Sequence, residues 1–312
     1  MLDPVRLLLL RELADRGTMT AVAAACGYTS SAVSQQLATL ERESGTRLFE
    51  RAGRRVRLTA EGRRLAGHAR TVLAALQAAE DGLRAADTPR GPLAVGCFAT
   101  MAAARLIPAL AVARVRHPQL RLTVHEWEPP EAVAALREGR CEVAVRYAYD
   151  LDPEPEPVDL DVHPLAVEPL LLAVPEGHPV AAAAAAAAVD LRELAGAEWI
   201  AGSRADSDRT LVERACAIAG YRPRITHTAD DYHLVLRMVA HGLGVALVPR
   251  MAVRAYGGGA GAGTAFPGVA LREVSTVPLT RRITALTRPA SAGDPAVRAL
   301  LDLLRSAEDP SA

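Results

Sequence analysis

The first seventy residues carry side chains suited to holding phosphate groups. Between positions 42 and 70 the chain has nine arginines and three glutamates, although the whole chain balances 36 basic against 36 acidic residues. The arginines stand at positions 42, 47, 51, 54, 55, 57, 63, 64 and 70. Guanidinium groups form paired hydrogen bonds with phosphate oxygens, and concentrated positive charge releases counterions from nucleic acid. This stretch therefore predicts an interface with a nucleic-acid backbone.

Short polar side chains precede and overlap this basic stretch, on a segment that the pattern predicts to be a helix over 30–44. Thr29 is a favourable N-cap and Gly45 a favourable C-terminus. At roughly 100° per residue an apolar stripe faces one way and a polar face the other. The stripe is Val33, Leu37 and Leu40, and the polar face includes Ser31, Ser34, Gln35, Thr39 and Arg42. An ordinary solvated face is the alternative, but the adjoining arginines favour a helix that reads base edges in a major groove about 12 Å wide.

The neighbouring elements complete a DNA-docking arrangement. A helix over 19–26 ends at Gly27, and two short strands over 48–51 and 55–59 form a basic hairpin after the second helix. Two helices joined by a tight turn and followed by a basic wing dock on duplex DNA. The residues expected to contact DNA are Thr29, Ser30, Ser31, Ser34, Gln35, Thr39, Arg51, Arg54 and Arg55.

A longer helix is predicted over 60–86, with a repeating apolar seam. Leu65, Val72, Leu76 and Leu83 lie on this seam, where apolar residues step by three and four positions. Such spacing is typical of a coiled-coil contact between two copies. A single amphipathic helix that packs on its own domain is the alternative.

From position 91 onward, predicted strands and helices alternate, which is typical of an α/β fold rich in parallel strands. The strands are expected at 93–97, 120–126, 142–147, 170–174, 224–228, 245–248, 269–274 and 283–288. The helices are expected at 102–115, 130–138, 207–219, 231–241 and 295–305.

Residues 2–86 resemble the winged helix-turn-helix of the LysR-type transcriptional regulators. The resemblance rests on Ala32-Val33-Ser34, Leu40-Glu41, Gly45, 47–51 (RLFER) and 58–62 (LTAEG), in the order and spacing of the family. Ser30-Ser31 replaces the Gln-Pro of many relatives, and Gln35 stands where relatives often have arginine. The resemblance therefore implies DNA binding with a different preferred base sequence.

The family layout implies an N-terminal winged helix-turn-helix rich in α-helix, a linker helix, and a two-lobed α/β effector domain like the periplasmic solute-binding proteins. The expected boundaries are 1–59 for the DNA-binding domain, 60–88 for the linker and dimerisation helix, and 89–306 for the effector domain. Lobe one is expected over about 91–161 and 269–306, and lobe two over about 162–268.

The resemblance also implies a cleft between the lobes that binds a small-molecule effector. The residues expected there are Thr100, Met101, Glu128, Arg146, Ser203, Arg204 and Asp230, at the carboxyl ends of strands where ligands of open sheets bind. Because of Arg146 we expect a carboxylate effector, and a neutral or cationic effector, which Glu126, Glu128 and Asp230 would favour, is the alternative. A solvated loop or a helix cap is the alternative for each residue alone.

Several function classes lack their motifs. The chain has no lysine, which excludes a P-loop lysine and a Schiff-base lysine. The four cysteines are widely spaced, Cys97 and Cys141 are weak redox candidates, and the histidines lack metal-ligand spacing, so no metal or cofactor is expected. We expect a cytoplasmic, homodimeric or homotetrameric regulator without enzyme activity or a membrane span, with an operator DNA, an effector and RNA polymerase as partners. An α/β enzyme and an architectural DNA-binding protein are the rival hypotheses.

Overall fold

The computed structural model describes residues 2–52, 55–83, 88–182, 188–203, 208–256, 266–291 and 293–306. Residues 2–58 form three helices and a two-stranded wing. These are α1 (Pro4–Arg16), α2 (Met19–Cys26), α3 (Ser30–Ser44), β1 (Phe49–Ala52) and β2 (Arg55–Leu58). The predicted bounds of α2 and α3 are confirmed.

Local capping explains where α2 and α3 begin and end. The hydroxyls of Thr18 and Thr29 accept the backbone N–H groups of Ala21 and Ala32, three residues along. Gly27 and Gly45 follow the helices at φ of 72° and 67°, a left-handed conformation that costs glycine little. The apolar faces close a small core that includes Leu9, Leu10, Val22, Val33, Leu37, Leu40 and Leu48.

The next helix, α4 (Ala60–Leu83), changes its surroundings along its length. Its first turns pack on the N-terminal core, with Ala66 and Ala69 buried and Leu65 half-buried against it. Further along, Val72 and Leu76 are 43% and 42% exposed. Leu65, the first residue of the predicted seam, thus packs on the core of its own chain, and Val72 and Leu76 of the seam face solvent.

The remaining elements form two lobes. In chain order they are β3 (Gly91–Cys97), α5 (Ala99–Met101), α6 (Ile107–Arg116), β4 (Leu120–Glu126), α7 (Pro129–Arg137), β5 (Val143–Tyr149), β6 (Asp161–Pro175), β7 (Glu198–Ala201), α8 (Asp208–Ile218), β8 (Arg224–Thr228), α9 (Tyr232–Ala240), β9 (Ala246–Pro249), α10 (Arg250–Tyr256), β10 (Val269–Arg272), β11 (Thr280–Thr287) and α11 (Pro295–Ser306). A π-helical turn, Ala102–Leu106, joins α5 to α6.

One sheet runs through both lobes, in the order β10-β6-β11-β5-β3-β4 with β9 also paired to β6. In lobe one, β3 pairs parallel with β4 and β5, and β11 pairs antiparallel with β5. The long strand β6 pairs with β11 along its first part and with β9 and β10 along its second part. The lobes therefore meet where β6 passes from one to the other.

Lobe two adds a parallel pair, β7 and β8, linked to the rest by a bridge between Trp199 and Val245. Two differences from the sequence expectations concern this lobe. The strand expected at 269–274 to return to lobe one instead pairs, as β10, with the lobe-two part of β6. β7 and α10 were not predicted, because short, largely buried segments have no distinctive period. The first part of β6 was not predicted either; it is mostly half-buried, and the prolines at 164 and 169 are not typical of a strand within a sheet.

Within the described ranges, no helix is both long enough and apolar enough to cross a bilayer.

Candidate functional site

The polar face of α3 is exposed, as its helical spacing predicts. Ser31, Ser34 and Gln35 face solvent, and Thr29 and Ser30 are exposed at the start of the helix. The opposite stripe of Val33, Leu37 and Leu40 is fully buried. An exposed row of hydroxyl and amide groups on a fixed helix has the donors and acceptors that base edges require.

Thr39 takes part in this face through its neighbours. Its hydroxyl donates to the carbonyl oxygen of Gln35 at 3.0 Å and accepts a hydrogen bond from Arg42 Nη2 at 2.8 Å. Thr39 is half-buried, whereas Arg42 is exposed on the same face of α3 as Gln35. Thr39 therefore positions Arg42, a cation that the expected set of contact residues did not include. Its spacing of three from Thr39 was the available signal.

The wing arginines are described only in part. Arg54 lies outside the described residues, and the structure describes the backbone alone for Arg51 and Arg55. The backbone register pairs Arg51 with Val56 and Ala52 with Arg55, so the predicted hairpin is confirmed with slightly shifted ends.

Three residues of the LysR-like motifs hold this wing in place. Glu41 Oε1 accepts the backbone N–H of Leu48 at 2.8 Å, and Thr59 donates to the Arg47 carbonyl at 2.8 Å. Gly62 passes so close to the chain that an added Cβ would stand 1.9 Å from the Leu48 carbonyl oxygen. These contacts fix the orientation of the wing relative to α3.

A second candidate site is a cleft of about 300 Å³ between the lobes. Lobe one contributes Phe98, Ala99, Thr100, Glu126, Glu128, Pro129, Pro130, Tyr147 and Glu154. Lobe two contributes Asp208, Asp230, Asp231, Tyr232 and Tyr256, and Arg281 of β11 completes the lining. The cleft lies at the carboxyl ends of β3, β4 and β8, where ligands of open α/β sheets bind.

Arg281 is the cation at the base of this cleft, and it is 1% exposed. Its Nε donates to Glu168 and its Nη2 donates to Thr100 Oγ1 at 3.0 Å. The guanidinium carbon lies 5.0 Å and 5.1 Å from the ring centres of Phe98 and Tyr147. Burial acts to lower the pKa of Arg281, but the negative charge of Glu168 and its hydrogen bond oppose burial, and the pKa is raised. The Arg281 guanidinium is therefore permanently charged and is held in an ion pair with Glu168.

Asp208 accepts hydrogen bonds from the hydroxyls of Tyr149 and Tyr232. Burial, and next the charge of Asp208, raises the pKa of both phenols well above the usual value. Both tyrosines thus remain neutral donors at ordinary pH. On the opposite wall, Tyr147 donates to Glu128 Oε2 at 3.3 Å.

Two further carboxylates are held by backbone groups of lobe two. Asp230 accepts the backbone N–H of Ser203 at 2.8 Å and also the Ser203 hydroxyl. Asp231 caps α9 by accepting the N–H of Leu234 at 2.7 Å. Both aspartates are exposed in the cleft.

The structure brings together some of the expected effector residues. Thr100, Glu128 and Asp230 line the cleft, and Ser203 reaches it through Asp230. Met101 does not line it, because its side chain is fully buried in the core of lobe one. Arg204 lies outside the described residues.

Arg146 requires a correction, because it is not in the cleft lining. Its guanidinium lies in a separate cavity of about 90 Å³, near Glu154 Oε2 at 3.8 Å and the Pro155 carbonyl at 3.5 Å. Alternate residues of a strand point to opposite faces, so Arg146 and Tyr147 diverge and Tyr147 takes the cleft position.

Asp208, Tyr232, Tyr256 and Arg281 were missed by the sequence reasoning. Asp208 and Tyr232 begin helices, so the rule that selected Thr100 also applies to them. Arg281 gave no local signal, since its partner Thr100 is 181 positions away in the sequence.

The cysteines of the described structure are free, and three of them are buried. Burial raises the pKa of the Cys97, Cys141 and Cys216 thiols, to about 12 for Cys141 and about 11 for Cys216. Because the thiolate is the reactive form, these thiols are poorly suited to oxidation.

Comparison with known proteins identifies the two domains in which these sites lie. Residues 5–63 match the bacterial regulatory helix-turn-helix protein, lysR family, and residues 86–309 match the LysR substrate binding domain. A probable hydrogen peroxide-inducible genes activator of Mycobacterium avium is 31% identical over 243 residues, covering 77% of this chain and 76% of the relative. Its counterpart in Mycobacterium xenopi is 39% identical over 169 residues, covering 54% of this chain and 87% of the relative.

Solved structures share the same fold over nearly the whole chain. A full-length OxyR variant from Pseudomonas aeruginosa aligns with a TM-score of 0.76 at 23% identity, covering 98% of this chain and 95% of that one. Full-length CbnR, solved with its target DNA, aligns with a TM-score of 0.63 at 22% identity, covering 98% and 100%. The resemblance inferred from the sequence is confirmed: the chain belongs to the LysR family of DNA-binding transcription regulators, with a helix-turn-helix domain and a two-lobed effector-binding domain.

Proposed function

We propose that two or more copies of this LysR-family regulator bind an operator of two-fold related half-sites through α3 and the wing. The observation that carries the proposal is the exposed row of Ser31, Ser34 and Gln35 opposite a fully buried apolar stripe. We assign base contacts to this row and phosphate contacts to the wing arginines, Arg54 and Arg55 among them. We assign residues 1–59 to DNA binding, 60–88 to dimerisation and 89–306 to effector binding.

The experiment compares operator and random duplexes. Replacing Gln35→Ala should cost about 1–3 kcal/mol on the operator and little on random DNA, because a base contact carries sequence information. Gln36→Ala is the matched control, since Gln36 is half-buried and its Oε1 accepts a hydrogen bond from Arg6 Nε at 2.9 Å. Equal losses on both duplexes for Gln35→Ala would show that Gln35 contacts the DNA backbone and does not read a base.

We propose further that a small molecule in the interlobe cleft controls DNA binding. Support comes from the cleft itself, from the strand β6 that joins the two lobes, and from the contact of lobe one with α4. A Cβ at Gly139 would lie 3.0 Å from Cβ of Arg70 on α4. An effector that binds one arrangement of the lobes more tightly would shift the population of that arrangement.

The effector proposal has its own test. A deproteinised small-molecule extract of the source cells should raise the melting temperature of the full chain and change its operator footprint. An extract that changes neither would contradict effector control. The effector should be recovered unchanged, because we propose a regulator and no catalysis. We also propose RNA polymerase as the partner at promoters, and the cytoplasm as the location, because the DNA is there.

Thiol oxidation is the rival input, since mycobacterial relatives are named as probable hydrogen peroxide-inducible genes activators. The raised pKa values of the Cys97, Cys141 and Cys216 thiols argue against it, and the cleft supports a bound effector instead.

A further inference from the structure

We infer that the effector of this regulator is a small organic cation, an amine or a guanidinium compound. The inference rests on the proposed function, in which the interlobe cleft is the effector site, and adds the chemical class of the ligand. Among the lining residues that the structure describes, six bear carboxylates and one bears a guanidinium. The carboxylates are Glu126, Glu128, Glu154, Asp208, Asp230 and Asp231.

Not all six carboxylates count equally, because Glu154 Oε2 lies 3.8 Å from Arg146, and Glu128 and Asp230 have partners of their own. The inference therefore rests on Glu126 of one wall and on Asp208 and Asp231 of the other, whose negative charge Arg281 does not offset.

Arg281 is buried, and its positive charge is neutralised by an ion pair with Glu168, which is outside the cleft lining. Glu168 is itself 7% exposed and is not part of the lining, so the pair adds almost no net charge to the site. An anionic ligand would therefore meet repulsion from both walls.

The carboxylates are divided between the lobes, which connects ligand charge to lobe closure. Glu126, Glu128 and Glu154 belong to lobe one, and the three aspartates belong to lobe two. Without a cation, closure would bring like charges together, which costs energy at low dielectric. A cation between the walls reverses that cost, so it binds the closed arrangement more tightly than the open one, as an effector must.

Tyr256 shows that charges of the two lobes converge on one region. Burial raises the pKa of the Tyr256 phenol, and the charges of Asp231 and Glu126 raise it further. Asp231 stands in lobe two and Glu126 at the end of β4 in lobe one. The field of both walls therefore acts on the same part of the cleft.

Aromatic rings make up much of the remaining lining, and they favour an organic cation over a metal ion. Phe98, Tyr147, Tyr232 and Tyr256 line the cleft, and ring faces attract ammonium and guanidinium groups. The protein already places the Arg281 guanidinium on Phe98 and Tyr147. In the described part of the chain, no group of His, Cys, Asp and Glu is arranged to hold a metal ion. The volume of about 300 Å³ fits a small molecule.

The test uses the full-length protein and probes of equal backbone length and different charge. The cations are 1,4-diaminobutane and its guanidinium analogue agmatine, the neutral probe is 1,4-butanediol, the anion is succinate, and MgCl₂ tests a metal ion. Melting temperature and operator footprint are measured for each. We expect at least one cation to raise the melting temperature and change the footprint, with an affinity that falls as salt rises. We expect no response to the other three probes.

A matched pair of variants locates the site. Glu126→Gln removes one carboxylate from the cleft at nearly constant shape and should weaken the cation about fivefold. Glu131→Gln makes the same change on the exposed side of α7, outside the cleft lining, and should leave the affinity unchanged.

Several outcomes would overturn the inference. They are a response to succinate, butanediol or magnesium without a response to either cation, no response to any probe, or equal effects of the two variants. An active cell extract together with inactive cations would refute the organic cation and leave effector control standing. An inactive extract together with inactive cations would refute both proposals.

Discussion

The pair formed by Arg281 and Glu168 offers a quantitative test of how the base of the cleft is held. Replacing Glu168→Gln keeps the shape of the side chain and an acceptor for the backbone N–H of Met251, which Glu168 Oε2 accepts at 2.9 Å. It removes the only carboxylate that the described structure shows in an ion pair with Arg281. Removing one partner of a buried pair usually costs about 3–5 kcal/mol. Because Phe98, Tyr147 and Thr100 still contact the guanidinium, we expect about 3 kcal/mol, the low end of that range.

Urea unfolding followed by tryptophan fluorescence measures this loss. Trp127 reports on lobe one and the fully buried Trp199 reports on lobe two, and they are the only two tryptophans of the chain. With a slope of about 2–3 kcal/mol per molar, the urea midpoint should fall by roughly 1–1.5 M. The double variant Glu168→Gln/Arg281→Met removes both charges, so its loss should be smaller than the sum of the two single losses by about 2 kcal/mol. An unchanged urea midpoint for Glu168→Gln, or strictly additive losses in the double variant, would show that the ion pair between Arg281 and Glu168 does not stabilise the base of the cleft.

Three further predictions concern the wing, the linker and the thiols. Gly62→Ala should destabilise the N-terminal domain by about 1–3 kcal/mol and weaken DNA binding, because the added Cβ would meet the Leu48 carbonyl. The control is Gly67→Ala, where an added Cβ on α4 meets open space and should stabilise the domain by up to about 1 kcal/mol. Thermal melts and gel shifts measure both, and equal melts would contradict the close approach. Leu76→Glu should lower both the mass measured in sedimentation and the operator affinity, because it places a charge in an apolar dimer contact. Ala75→Glu is the neighbouring exposed control. An unchanged mass for Leu76→Glu would show that this part of α4 makes no contact with a second copy. Cys97 and Cys141 should resist N-ethylmaleimide at neutral pH in the folded protein and react in urea, because burial raises both thiol pKa values. Mass spectrometry measures the alkylation. Rapid alkylation of the native protein would support thiol oxidation as the signal.

The DNA-binding domain follows closely from its sequence because its determinants are local. The bounds of α3 come from Thr29 and Gly45, and its buried and exposed faces come from a period of 3.6 residues. The LysR-like motif also marks Glu41 and Gly62, but their reason appears only in the structure. Glu41 holds the backbone of the wing, and Gly62 leaves room for the Leu48 carbonyl.

The effector domain could be predicted as a class of fold and less well as a site. Alternating strands and helices predicted an α/β fold, the resemblance to the LysR family implied its two lobes, and the rule for strand ends found Thr100, Glu128 and Asp230. The same rule selected Arg146 wrongly, because a shift of one residue along a strand reverses the face on which a side chain lies. That one position decided whether the cleft was expected to hold a carboxylate.

The sequence by itself therefore determined the bounds of α3 and its buried and exposed faces, since capping and periodicity act over a few residues. Its motifs marked the LysR family, and the family layout implied the two-lobed domain. Only the tertiary structure decided what the cleft contains. Thr100, Glu168 and Arg281 are far apart in the chain and meet where the start of β11 pairs with β6, near the boundary between the lobes. Asp208 and Tyr232 approach from the other wall of the cleft. The charge of a cavity depends on which distant strand ends the topology brings together, and no local pattern encodes that sum.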